Sequence, residues 1–322
     1  MKIGIIGVGA VGTSCAKAML LRGSAHEIVL LDKNELRAEG VAFDLSHAEV
    51  LCAPTRIRAG VYEDLFGASI IVITAGINEL TGGATNRADP LGRLRLLREN
   101  AKTYNQIIPN LARVAPTATI LVVTDPPDPL ADVARDLTIQ LGTKNQVVSS
   151  GTYLDTLRFR LQIARRVQCH PSSVDALVLG EHGTSQVYVW SSAQAGGVPV
   201  LEYIRRSGED INSFRSAVEA DVKFANIKII EGTGASQHGI GVVTARLVEA
   251  MVRDEGLVAP IGLFQKKYSV TLSLPARIKR GAVEVIEPAL SAEESRELAN
   301  SANVIAEALA RLAQTSADGS DE

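Results

Sequence analysis

The chain has 322 residues, enough for one large or two ordinary domains, and its 46% hydrophobic and 21% charged content is that of a globular protein with ample core. Its 33 basic and 36 acidic side chains leave a formal charge of −3, which gives no electrostatic case for nucleic acid or an anionic membrane surface. No apolar run reaches membrane-spanning length, and Cys15, Cys52 and Cys169 show neither metal spacing nor a disulfide framework.

A reducing, cytoplasmic setting is therefore expected, with no metal and no membrane partner. A leader is not expected either, because Met1-Lys2 runs straight into a strand. Lys2 to Ile6 is a short apolar run without helical period and reads as a buried parallel strand. Gly7-Val8-Gly9-Ala10-Val11-Gly12 follows at once, then a helical stretch from Thr13 to Arg22 with Cys15, Ala16, Met19 and Leu20 on its apolar face. A second strand, Glu27 to Leu31, ends in Asp32. Each part has a task in holding a dinucleotide. Gly7 permits the tight turn, Gly9 lets backbone approach a pyrophosphate, and Gly12 lets the helix pack close to the sheet. The helix N-terminus faces the phosphates with unpaired N–H groups. Asp32, 20 residues past Gly12, can accept both ribose hydroxyls and repels a 2′-phosphate, which favours NAD over NADP.

Further apolar strands are expected at 70–74, 120–124 and 147–149, and helices near 34–46, 92–114 and 127–140. This alternation predicts an α/β fold, a Rossmann doubly wound parallel sheet, over residues 1–149. Ligands collect at the carboxyl ends of such strands, which places Gly7, Asp32, Thr74-Ala75-Gly76 and Thr124-Asp125 on one rim. After 150 the pattern changes to a mixed α/β domain over 150–315. It has helices at 152–167, 208–231 and 236–254, strands at 173–179, 268–273 and 277–285, and a closing helix at 291–313 whose Ser291 and Glu294 are spaced as a capping box. Residues 316–322 are polar and expected to be disordered.

The second half carries Gly180-Glu181-His182-Gly183, and Asp155-x-x-Arg158 lies 27 positions before the histidine. A histidine that moves a proton needs a carboxylate to hold its ring, and a cation nearby if the substrate is an anion. A lone His in a loop is more often only a loop residue, as His238 in a helix is read here, and the dinucleotide signature is what shifts the balance.

At this point the residues resemble a known family, the NAD-dependent L-lactate and malate dehydrogenases. The resemblance spans nearly the whole chain through GVGAVG at 7–12, Asp32, DLSHA at 44–48, TAG at 74–76, GRLRLLREN at 92–100, GTYLDTLRFR at 151–160 and GEHGTSQ at 180–186. It implies that His182 is the general acid/base, that Asp155 orients it, and that Arg158 clamps the substrate carboxylate. Arg93, on a mobile loop, polarises the C2 carbonyl. Cofactor contacts are implied at Gly7, Gly9, Val11, Gly12, Asp32, Ala75, Gly76 and Thr124. Ser236 takes a pocket-wall position where lactate enzymes carry Thr. The family's dimers and tetramers imply a homo-oligomer, with a tetramer favoured.

Three departures stand out. The family's Asn-Pro pair is Asp125-Pro126 here, and an ionised carboxylate cannot donate a hydrogen bond. Either Asp125 is held protonated and imitates the amide, or it is ionised and accepts from a substrate hydroxyl or amine. The loop before Arg93 is long, and its Arg87 falls six positions before Arg93, where family malate enzymes carry Arg and lactate enzymes Gln. Arg160 matches the first residue of a sugar-bisphosphate site, but Asp175 stands at the second and repels phosphate, so no such activation is expected. The expected activity is hydride transfer between NAD(H) and a small L-2-hydroxy or 2-oxo acid. L-lactate/pyruvate leads, and malate/oxaloacetate through Arg87 is the alternative. A non-catalytic NAD(H)-binding protein and an imine reductase, with Asp125 on a substrate amine, are the rivals from other classes.

Overall fold

The structure is a computed structural model that describes residues 1–89 and 91–318, with side chains described to Thr315. The first six strands are β1 (Lys2–Ile6), β2 (Glu27–Leu31), β3 (Arg56–Ala59), β4 (Ile70–Ile73), β5 (Thr119–Val122) and β6 (Val147–Ser149). They lie parallel in the order β6-β5-β4-β1-β2-β3, so the order in which strands are added reverses between β1 and β4. That reversal opens a crevice at the carboxyl ends of the strands.

The strands read as continuous apolar runs because both faces of the sheet are covered. Successive side chains alternate between them. Ile3, Ile5, Ile28, Leu30, Ile70 and Val72 enter one core with Cys15, Ala16 and Met19 of α1 (Ala10–Arg22) and with α9 (His238–Arg253). Ile6, Val29, Leu31, Ile71 and Ile73 enter the other, against α3 (Leu97–Val114) and α4 (Pro127–Gln140). Burial pushes the Cys15 thiol up to about 12, so it is an inert core side chain, as its helix face suggests. Helix α2 (Glu35–Ser46) completes the first core.

Part of the second half extends the first sheet. Strands β10 (Leu257–Gln265), β11 (Val270–Lys279) and β12 (Ala282–Val285) continue the first sheet antiparallel, joined where Gly262 of β10 pairs with Ser149 of β6. The strands expected at 268–273 and 277–285 are thus one arm of a longer hairpin plus an edge strand. Pro275 hid the continuity. It faces Pro260 across the ladder, a rung that two prolines can share only where the facing residues exchange no hydrogen bond.

A small antiparallel sheet holds β7 (Val174–Leu179), β8 (Val187–Ala195) and β9 (Val198–Pro199), and β8 was not anticipated. Helices α5 (Tyr153–Arg166) and α6 (Val200–Ser207) cover it with α7 (Ile211–Lys223). The helix expected over 208–231 is broken. Asp210 caps α7 by accepting from Ser213 N at 2.7 Å, and a joint at Phe224 begins α8 (Ala225–Thr233). The closing helix α10 (Ala292–Asp318) has the expected capping box, with Glu294 accepting from Ser291 N at 2.8 Å. It runs past the expected end, so 316–318 are helical, and the rest of the expected disordered tail lies outside the described residues. Among the described residues no helix is long and apolar enough to cross a membrane.

Candidate active site

The glycine turn after β1 behaves as its spacing suggests. Gly7 has φ +93°, and a Cβ there would lie 2.5 Å from the Ala75 backbone. A Cβ on Gly12 would lie 1.9 Å from Gly7 O, so the close approach of α1 to the strand needs glycine. A Cβ on Gly9, by contrast, would meet nothing within 4 Å, which leaves its backbone open toward the crevice. Asp32 accepts from Val8 N at 2.7 Å and from Asn34 N at 2.9 Å, so the acid is fixed beside the turn. These residues fit a dinucleotide: an open backbone cradle, a helix N-terminus and a fixed acid.

From this cradle a cavity of about 290 Å³ runs toward the small sheet. Gly9, Val11, Gly76 and Thr124 line it, and Gly7, Gly12 and Ala75 stand behind them. At its far end it is lined by Arg93, Asp125, Arg158, His182 and Ser236. The two halves of the chain therefore meet in one space.

His182 sits in the loop after β7. Gly180, at φ +83°, turns that loop and exchanges backbone hydrogen bonds with Ser273 of β11 at 2.9 and 3.0 Å. His182 N donates to Asp128 Oδ2 at 2.7 Å, so the loop is held from α4 as well. The ring Nδ1 is bonded to Asp155 Oδ2, in the first turn of α5. This leaves Nε2 directed at the cavity. Asp155 is 2% exposed, and burial opposes its charge. His182 and Arg158 outweigh burial and hold its carboxyl well below the usual carboxylate range. Arg158, one helical turn on, reaches Asp155 Oδ1 at 3.2 Å.

Arg93 comes from a tight helical turn, Gly92–Leu96, ahead of α3, and its side chain is only 10% exposed. Its Nε lies 3.2 Å from Asp125 Oδ2 yet has no acceptor in hydrogen-bonding geometry among the described residues. A buried guanidinium with an unmet donor suits a further acceptor. Asp125 Oδ1 lies 3.7 Å from His182 Nε2. The substitution of acid for amide therefore sits beside both the Arg93 guanidinium and His182 Nε2.

Arg87 stands apart from this cavity. It pairs with Glu231 of α8 at 2.7 Å, with both side chains about half exposed. Arg160 pairs with Asp175 at 2.9 Å.

Three residues escaped the sequence reading. Asn100 is fully buried, accepts from Ile77 N at 2.7 Å and donates to Asp125 O at 2.7 Å, which ties the lid's start to the end of β5. Glu79 lines the cavity, where burial and the Asp125 charge raise its carboxyl above the ordinary value. Asp128 is fully buried and also accepts from Ser149 Oγ at 2.5 Å. The only sequence signal for Asp128 is an acid inside an otherwise apolar, proline-rich helix start.

Comparisons with known proteins place nearly the whole chain in one family. Residues 1–148 match the family model described as lactate/malate dehydrogenase, NAD binding domain, and 152–315 match its alpha/beta C-terminal domain. The chain is 38% identical to an L-lactate dehydrogenase of Thermus aquaticus, over 97% of this chain and 99% of that protein. It is 36% identical to one of Deinococcus radiodurans, over 95% and 97%. A lactate dehydrogenase crystal structure from a deep-sea metagenome superposes with a TM-score of 0.86 at 31% identity, covering 97% of this chain and 98% of that one.

Burial pushes the Asp128 carboxyl up to about 7, from an ordinary value of 3.8. A group raised on folding contributes stability that is full below its unfolded value and lost as pH rises through the folded one. Asp128→Asn keeps one acceptor for His182 N and offers a donor to Ser149. The stability of wild type relative to this variant is expected to fall between about pH 4 and pH 7 and to stay level above that. Urea unfolding of both proteins across this range checks it, and parallel curves would contradict it.

Proposed function

The chain belongs to the lactate/malate dehydrogenase family, and from that premise we propose that it is a cytoplasmic, NAD-dependent L-lactate dehydrogenase that interconverts pyruvate and L-lactate. The observation that carries this reading is the convergence of Asp155, His182, Arg158 and Arg93 at the end of a cavity that begins at the glycine cradle.

Arg158 takes the substrate carboxylate, since a planar fork matches a planar acid. The 2-oxo oxygen then faces His182 Nε2 and Arg93. NAD, when bound, supplies or accepts the hydride at C2. In reduction His182 gives the Nε2 proton to the oxygen as the alcohol forms and is left neutral. In oxidation it takes the hydroxyl proton, and Asp155 stabilises the imidazolium that results. Arg93 holds the negative charge that builds on the oxygen between these states. Closure of the 77–89 segment, supported by Asn100 and by the Arg95–Asp89 pair, keeps water out.

Pyruvate is favoured over oxaloacetate on charge. A second substrate carboxylate needs a further cation, and the candidate, Arg87, is engaged by Glu231 outside the cavity. Inside it stands Asp125, whose carboxylate repels such a group, and the wall at Leu154, Ser236 and Ile240 suits a small apolar substituent.

The exposed apolar side chains Leu36, Phe43, Val50 and Leu51 support a homo-oligomer, with a tetramer favoured. Sedimentation equilibrium should give four chain masses, and a monomer mass would sink that assignment.

NADH oxidation with pyruvate is expected to exceed that with oxaloacetate by at least about tenfold in kcat/KM, and Arg87→Gln should leave that ratio unchanged within about twofold. A preference for oxaloacetate that disappears in Arg87→Gln would establish the malate reading. NADH binding without turnover of any 2-oxo acid would establish a non-catalytic role.

A further inference from the structure

Asp125 and Glu79 bring two carboxyl groups into a cavity whose purpose, on the reading above, is to receive an anion. Asp125 lies at the end of β5. Glu79 stands on a turn held by Gly82 N donating to Asn78 O at 2.9 Å and Ala84 N donating to Glu79 O at 2.8 Å. The turn is set against the site by Leu96, which leaves no room for a Cβ on Gly82. Both carboxyl groups line the one cavity. Two like charges enclosed together repel, and ionised carboxylates are acceptors only, so one of the two is stabilised by carrying a proton. Asp125 is the one that faces the Arg93 guanidinium, 3.2 Å away.

We propose that Glu79 keeps its proton and donates it to the Asp125 carboxylate, and that this proton sets the charge of the substrate cavity so that Arg93 remains available to the substrate oxygen. The proposal rests on the 2-oxo acid reading and deepens it. Glu79 is a positioning residue here, acting through Asp125.

The charges around the site show why one proton matters. Arg93, Arg158 and a protonated His182 supply three positive charges. Asp155, the incoming substrate carboxylate and one charge on the Glu79–Asp125 pair supply three negative ones. Loss of the Glu79 proton adds a buried negative charge beside Arg93 and against the substrate, at a place where solvent screens it poorly.

The groups facing the pair from other elements are Arg93 on its turn, His182 and Glu181 in the loop after β7, and Asp155 and Arg158 on α5. Arg37, on α2, lines the cradle end of the cavity. Glu181 is occupied by Ser185, whose N–H and hydroxyl both donate to it. Burial first, and the Asp125 charge second, raise the Glu79 carboxyl above its ordinary value, while Arg93 pulls the other way. A raised acid holds its proton on the acidic side and loses it as pH rises, so the effect is a weakening of substrate binding toward alkaline pH.

Two measurements test this. The first is the infrared difference spectrum of wild type minus Glu79→Gln, without substrate, at about pH 6. The carbonyl stretch of a protonated carboxyl is expected in wild type and lost in the variant, and the Asp128 contribution cancels. Absence of that band overturns the proposal, whatever the enzyme turns over.

The second is the affinity of the NADH-loaded enzyme for oxamate, an unreactive 2-oxo acid analogue, from about pH 5.5 to 9. Binding to wild type should be linked to one more proton, on Glu79, than binding to Glu79→Gln, so the slope of log Kd against pH should be steeper by up to about one in wild type. Each pH unit above the Glu79 titration then weakens wild type about tenfold more than the variant. Parallel profiles overturn the proposal. A protein that binds NADH but ignores oxamate and pyruvate at every pH overturns the 2-oxo acid reading, and the infrared band then decides the pair on its own.

Discussion

The rest of the site depends on the buried contact between Asp155 and His182. A carboxylate at 2% exposure is unstable unless it is matched, and here it is matched by His182 and Arg158. Holding Nδ1 fixes the ring so that Nε2 faces the cavity, and holding Arg158 fixes its fork at the same cavity. On the proposed function, one acid aligns the proton carrier and the anion anchor. The helical turn that separates Asp155 from Arg158 is what lets a single side chain reach both.

That alignment would be useless without a fixed relation to the cofactor cradle, and the sheet supplies it. The strands of the second half extend the first sheet through Gly262 and Ser149, so the cradle after β1 and the loop carrying His182 are braced by one continuous framework. A Cβ on Gly262 would lie 2.0 Å from Ser149 Oγ and 2.5 Å from Asp128 Oδ1, which shows how tight the seam is. Asp128 links the seam to the active loop, since it accepts from both Ser149 and His182 N.

Much of this was legible in the chain because its determinants are local. The glycine spacing, the acid closing β2 and the apolar runs of the parallel strands each follow from a few neighbouring residues. The Asp155–Arg158 turn and the GEHG loop were also readable, and the resemblance joined them. Contacts made only by tertiary folding were not readable. Glu79 meets Asp125 across 46 positions, and nothing in Asn78-Glu79-Leu80 announces a cavity-facing acid. Arg87 had the charge and spacing of a pocket residue, yet it found Glu231 on α8. Two facing prolines concealed a hairpin, and the joint at Phe224 broke a helix whose apolar period runs on.

The account turns on the claim that Asp155 acts by holding a charged His182, and replacing that charge while keeping the shape tests it most directly. Asp155→Asn should bind NADH as wild type does while kcat/KM for pyruvate falls by about 10²- to 10⁴-fold, the usual share of a positioned acid/base with its carboxylate partner. Turnover within a few-fold of wild type would contradict it, because the ring would then need no carboxylate to carry its proton.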